Sequence, residues 1–192
     1  RMGCDKRFLA VGGRPLVERT LAVFVATFPE VLVVVAGPAA ELAGSGYRVV
    51  TDAIPDCGSL GGLYTGLSHA TYSRVFAAAC DMPFLDAAVI RYLAGLDPGA
   101  DLVIPRLAAG LQPMHAIYSK NCLPHLRHMI DSGNLRLHVL GSTPGLLVNV
   151  VPQESIRSID PDLLSFVNVN RPADLELARQ LDAGRNMREK NG

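Results

Sequence analysis

Val31-Leu32-Val33-Val34-Val35-Ala36 is an unbroken apolar run rich in β-branched side chains, the composition of a strand covered on both faces. The stretch before it has a different period. From Pro15 to Phe28, the residues Leu16, Val17, Thr20, Leu21, Phe24 and Phe28 recur at helical spacing, and Pro15 suits a first turn. The same alternation continues downstream. Tyr47–Thr51, Val75–Cys80 and Asp101–Pro105 read as strands, while Leu60–Ala70 and Asp86–Leu96 read as helices, the second with Asp86 as N-cap. Strands alternating with helices predict βαβ units, an α/β Rossmann-like fold and a mostly parallel sheet. Right-handed crossovers then gather the strand C-termini on one edge, where such folds bind ligands.

The pattern changes after Ala108. Gly110–Ser119 reads as a strand holding Gln112, His115 and Tyr118; these could line the same cleft, although a buried, satisfied histidine is the safer reading for His115. Lys120–Asp131 and Leu135–Leu140 read as helices, and Leu146–Val151 as a strand. Phe166-Val167-Asn168-Val169-Asn170 leads into a helix from Pro172 to about Leu181, and the polar tail from Asp182 onward is expected to fray. No repeat or low-complexity linker interrupts the 192 residues, so residues 1–192 read as a single domain.

Composition narrows the function classes. Hydrophobic residues make up 49% and charged residues 19%, which is globular rather than disordered. Lys+Arg and Asp+Glu balance at 18 each, so no net field draws the chain to nucleic acid or membrane. The apolar runs are too short to span a bilayer. The 4 cysteines lack C-x-x-C spacing, which fits reduced thiols in a cytoplasmic protein and leaves a structural metal site without ligands.

Three stretches carry candidate chemistry. Arg1-Met2-Gly3-Cys4-Asp5-Lys6 places two cations around a glycine-containing turn. Lys6 could neutralise triphosphate oxygens as a point charge, or be an ordinary surface lysine. Asp81, in Cys80-Asp81-Met82-Pro83, ends an apolar strand. A carboxylate there suits Mg²⁺, which takes one or two carboxylates plus substrate phosphates; it equally suits a turn that caps its own backbone. Cys57-Gly58-Ser59-Leu60-Gly61-Gly62 opens a helix through glycines, so its amides could approach a base or phosphate, or the glycines could serve close packing. It matches neither a P-loop nor G-x-G-x-x-G. Asp52 follows a strand and could accept from a ribose or base, or close a turn. Asn168 and Asn170 alternate, so both amides share one face; they could bind a polar ring system or cap the next helix.

Together these strings, with Gly13-Arg14-Pro15-Leu16, Gln112-Pro113-Met114-His115-Ala116-Ile117-Tyr118 and Phe84-Leu85 after Pro83, occur in one order along nearly the whole chain. In that order they resemble the molybdenum cofactor guanylyltransferase (MobA) family. The resemblance implies a three-layer nucleotidyltransferase fold with a mostly parallel central sheet. It implies transfer of GMP from MgGTP to molybdopterin, or the molybdenum cofactor, with release of pyrophosphate. Under it, Lys6 and Asp81 are catalytic. Lys6, Asp52, Gly62 and Asp81 bind GTP, and Asp81 holds Mg²⁺. Arg1, Asn168 and Asn170 face the molybdopterin, and other cofactor-biosynthesis proteins are further partners. A related cytidylyltransferase, a sugar-phosphate nucleotidyltransferase and a non-catalytic nucleotide-binding module are the alternatives. The family carries a strand and Leu-Ala-Gly-Gly ahead of Met-Gly, so a first strand and glycine loop are expected upstream of residue 1. Two departures stand out. Ser59 occupies the place of a proline in the family's Gly-Pro-Leu-x-Gly loop, and Val33–Ala36 is apolar where many members place a polar nucleotide contact.

Overall fold

The computed structural model describes residues 8–37, 39, 42 and 46–190, the last five by backbone alone. The chain begins with a short hairpin, β1 (Ala10–Val11) and β2 (Arg14–Pro15). Gly12 and Gly13 turn it at φ 59° and 75°, the left-handed pair that a two-residue hairpin needs. The sequence reading misses this hairpin because each strand is only two residues long.

Helix α1 (Leu16–Thr27) leads to β3 (Leu32–Val35), which pairs in parallel with β4 (Arg48–Thr51). Helix α2 (Gly58–His69) follows, then β5 (Arg74–Ala78) and α3 (Ala87–Gly95). As expected, Asp86 caps α3, accepting from the Ala88 amide at 2.6 Å. The next strands are β6 (Leu102–Leu107), β7 (Gly110–Leu111) and β8 (His115–Ser119). The strand expected over Gly110–Ser119 is therefore broken, because Pro113 has no amide to extend the ladder. Helix α4 (Leu123–Asp131) leads to β9 (Val148–Pro152), α5 (Gln153–Arg157) and α6 (Pro172–Lys190).

The five-stranded sheet is mixed. β8 runs antiparallel to both β5 and β6, and β9 runs parallel to β6. Thus β5, β6 and β9 share one direction, and β8 is the reversed long strand among them. The α/β arrangement is as expected, but the mostly parallel pairing is corrected for this sheet: only the β6–β9 ladder is parallel, and the β5–β8, β6–β8 and β6–β7 ladders are antiparallel. A one-residue register slip would exchange Ala116 and Tyr118 with Ile117 between two differently packed buried faces, which fixes the pairing.

Two expectations about the C-terminal half are corrected. Residues 135–140 do not form an α-helix; a 3₁₀-helix spans Leu137–Ser142 and buries Leu137 and Leu140, whose i, i+3 spacing eclipses on a three-residue turn. The polar tail does not fray at Asp182. Helix α6 continues to Lys190, since Asp182 is buried against Arg19 and the Arg185 guanidinium lies 5.8 Å from the Phe84 ring centre.

The core lies on both faces of the sheet. One cluster joins Leu60, Leu63 and Leu67 of α2 to Leu126 and Met129 of α4 across Ile104, Ala116 and Tyr118. The other joins Val89, Ile90 and Leu93 of α3 to Phe76, Val103 and Ile117. Helices on two faces of one sheet give the three expected layers.

Candidate functional site

The sheet sets the edge on which the candidate residues meet. The Asp52 amide donates to the Val35 carbonyl at 2.7 Å, so β3 and β4 end together. A slot of about 350 Å³ is lined by Val17, Val33 to Gly37 and Cys80, which places the end of β3 beside the segment that follows β5. β3 and β4 form a two-stranded sheet apart from the five-stranded one, and the slot brings the end of β3, and with it the Asp52 turn, near the Asp81 turn. At the opposite pole, Asp101 ties three chain segments together. It accepts from Ser119 Oγ at 2.9 Å, Asn121 Nδ2 at 2.7 Å and the Leu147 amide at 3.0 Å. The Leu147 amide, with Asn121 and Ser119, holds its carboxyl below the usual range against the opposing effect of burial.

Asp81 is half-buried and followed by the buried run Met82–Leu85. The Val169 amide donates to the Asp81 carbonyl at 2.8 Å. That bond docks the 168–170 segment on the Asp81 turn. Val169 is fully buried, while Asn168 is half-buried and Asn170 exposed, so the two amides flank an apolar anchor as the alternation predicts. Helix capping is performed by another residue. Asp174 Oδ2 accepts from the Asn170 and Arg171 amides at 2.9 and 2.7 Å. The Asn168 side chain donates to the Phe166 carbonyl at 3.1 Å.

Asp52 builds the loop between β4 and α2. Its Oδ1 accepts from Thr65 Oγ1 at 2.8 Å and from the Ile54 amide at 3.0 Å, and the Thr65 hydroxyl accepts from the Ala53 amide at 3.0 Å. Thr65 is fully buried and its part in the loop carries no sequence signal. The two glycines of the first α2 turn differ. A Cβ on Gly61 would lie 2.7 Å from the Ile54 carbonyl and 2.9 Å from Asp52 Oδ2, whereas a Cβ on Gly62 would meet nothing within 4 Å. Gly61 serves packing, and Gly62 faces open space.

Arg1 and Lys6 lie outside the described residues. Gln112, His115 and Tyr118 do not line a shared cleft. His115 and Tyr118 are fully buried, and Gln112 donates to the Gly110 carbonyl at 3.0 Å within its own turn. Tyr118 donates to the Pro113 carbonyl at 2.7 Å. His115 is packed between Phe76 and Phe166, with ring centres 5.1 and 4.3 Å away. Burial pushes its pKa down to about 3; the Ser165 backbone offsets a little of that shift without meeting hydrogen-bond geometry. Sequence reading also misses Arg19, which donates to Pro83 and Val11 carbonyls and pairs with Asp182.

No three of His, Cys, Asp or Glu gather into a preformed cation site among the described residues, and no described helix is long and apolar enough to cross a membrane. A lone strand-end carboxylate, a glycine-opened helix facing open space and an α/β sheet edge are the parts of a nucleotidyltransferase. Residues 1–142 match the family described as the MobA-like NTP transferase domain, and the chain belongs to that family. It is 35% identical over 179 residues to a protein of Pelotomaculum thermopropionicum named "Probable molybdenum cofactor guanylyltransferase", covering 93% of this chain and 86% of that one. It is 32% identical over 185 residues to the molybdenum cofactor guanylyltransferase of Desulfosudis oleivorans, covering 95% and 90%. The crystal structure of molybdopterin-guanine dinucleotide biosynthesis protein A from Archaeoglobus fulgidus superposes with a TM-score of 0.81 at 28% identity, covering 95% of this chain and 92% of that one.

Proposed function

We propose that this nucleotidyltransferase transfers GMP from GTP to the terminal phosphate of molybdopterin or its molybdenum-loaded form. The observation that carries the reading is the 2.8 Å bond between the Val169 amide and the Asp81 carbonyl, which joins a strand-end carboxylate to a paired-amide segment. One side of that junction suits a metal-bound triphosphate, and the other a polar pterin.

Asp81 is a hard-oxygen ligand at the sheet edge, which fits Mg²⁺ when the remaining ligands are phosphate oxygens and water. When bound, the ion would neutralise charge on the phosphates of GTP. Lys6 would add a second positive charge to the same oxygens. The molybdopterin phosphate attacks the α-phosphorus in line, forming one P–O bond as the bond to the bridging oxygen breaks and pyrophosphate leaves. No covalent enzyme intermediate is required. Gly62 leaves room for the nucleotide beside α2, Asp52 shapes and faces that loop, and Asn168 and Asn170 would hold the acceptor with Arg1.

The test is transfer of label from α-labelled GTP, compared with CTP, to molybdopterin in the presence of Mg²⁺. Label in the acceptor with stoichiometric pyrophosphate, from GTP and not from CTP, is expected. Transfer from CTP would reassign the base, and silence with both would reject the reading.

A further inference from the structure

We propose that Arg19 is a positioning residue for the Asp81 turn, fastened by Asp182 on the C-terminal helix. This rests on the reading of Asp81 as the metal-binding carboxylate. One guanidinium uses all three nitrogens on three separate chain segments. Nε donates to the Pro83 carbonyl at 3.0 Å, Nη1 to the Val11 carbonyl at 3.0 Å, and Nη2 to Asp182 Oδ1 at 2.8 Å. Its carbon also lies 5.6 Å from the centre of the Phe84 ring. Only the planar five-donor fork of arginine reaches three acceptors in fixed directions; a lysine cannot.

The surroundings are shaped to admit this group. The Arg19 and Asp182 side chains are 21% and 11% exposed, so their charge-assisted bond is largely shielded from water. A Cβ at Gly12 would collide with the Asp182 carboxylate and lie 3.0 Å from Arg19 Nη1. The hairpin must therefore carry glycine there for the pair to form.

The result is a turn held at two backbone points. The Asp81 carbonyl accepts from Val169, and the Pro83 carbonyl accepts from Arg19. Between them lies Met82, 2% exposed, so neither point can shift without disturbing the core. Arg19 touches no candidate ligand position itself; it acts through Pro83. Its counter-ion Asp182 lies beyond residue 142, where the family match ends. The C-terminal helix thus contributes to the geometry of a carboxylate contributed by the shared domain.

Arg19→Gln, Arg19→Lys and Asp182→Asn are compared with wild type and with Leu126→Ala, a core change in α4 remote from the Asp81 turn. The first readout is residue-resolved amide exchange, well below melting. Arg19→Gln should speed exchange at Val169 by about tenfold relative to Val103 and Ile117, the loss of roughly one charge-assisted bond. Leu126→Ala should move all three together. Unchanged relative protection of Val169 in Arg19→Gln overturns the proposal whatever the activity. The second readout is the Mg²⁺ dependence of transfer. Arg19→Gln should raise the half-saturating Mg²⁺ by about tenfold and lower kcat, with KM for GTP changed less than about threefold. Arg19→Lys should follow Arg19→Gln, and full recovery by lysine would overturn the three-point role. An unaltered Mg²⁺ requirement in an active Arg19→Gln enzyme also overturns it. A wild-type protein inactive with GTP and molybdopterin would reject guanylyl transfer instead, leaving the exchange readout to decide on Arg19. Should Arg19→Gln fail to fold, Asp182→Asn takes the charge from one of the three bonds and carries both measurements.

Discussion

The Val169 amide donates to the Asp81 carbonyl at 2.8 Å, joining segments remote from each other in the chain. Val169→Pro removes the donor, and Val169→Ala keeps it while thinning the packing around a fully buried side chain. The proline variant should lose kcat by about tenfold or more, as a displaced catalytic group costs. The alanine variant should lower the melting temperature while kcat stays within about threefold. Equal kinetic losses in both would show that packing, and not the amide, holds the turn.

Lys6→Ala and Asp81→Ala should each lower transfer by orders of magnitude, since an electrostatic donor or ligand of this kind contributes roughly 2.7–4 kcal/mol to the transition state. Single-turnover transfer measures this directly. Near wild-type rates in either variant would remove that residue from the chemistry.

Gly61 and Gly62 are adjacent but should respond oppositely to alanine. At Gly61 the added Cβ would press on the Ile54 carbonyl at 2.7 Å, so Gly61→Ala should destabilise the loop by about 1–3 kcal/mol. At Gly62 it meets nothing within 4 Å, and a helical Gly→Ala change gains up to about 1 kcal/mol. If nucleotide occupies that open face, Gly62→Ala should be as stable as wild type or more so, yet raise KM for GTP. Denaturant midpoints and KM values separate the two effects.

His115 makes stability depend on acidity. Its folded pKa of about 3 lies below the ordinary 6.5, so the unfolded chain binds the extra proton. Its contribution is present above the unfolded value and is lost as pH falls from there toward the folded one. From pH 7 to pH 5 the loss should be about 2 kcal/mol, read from urea midpoints. In His115→Phe this component should vanish; an unchanged pH slope would place the proton elsewhere.

Asp101 offers the converse case, stability without catalysis. Asp101→Ala removes the acceptor for Ser119, Asn121 and the Leu147 amide, and should cost about 2–4 kcal/mol. Because Ser119 pairs with Arg74 at the start of β5, and Asp81 follows its end, KM and kcat at low temperature should be unaffected. A kinetic defect in a fully folded variant would contradict that separation.

What the residues disclose in advance follows their range of interaction. The run at Val31–Ala36 declares a buried strand because burial on two faces demands apolar side chains at every position. The Asn168 and Asn170 pair is legible because extended chain has a period of two. Asp86 is legible because an N-cap is decided within a few residues. Arg19 is not, since its acceptors Pro83 and Asp182 are remote in sequence and nothing local distinguishes it from a solvated helix arginine. The burial of His115 is legible, since a lone histidine in an apolar strand is more often core than cleft, but its enclosure by Phe76 and Phe166 in place of a hydrogen-bond partner is not. The mixed ladder around β8 is similarly hidden, because strand direction is set by connections and not by composition.

The Asp101 knot has a practical meaning for handling the protein. It gathers the chain at the pole away from Asp81, and beside it Pro98 and Gly99 stand exposed. A purification tag, fluorophore or surface tether placed in that loop would leave the Asp81 edge facing solution. The same molecule could then be immobilised for binding measurements in a defined orientation, with its working face outward.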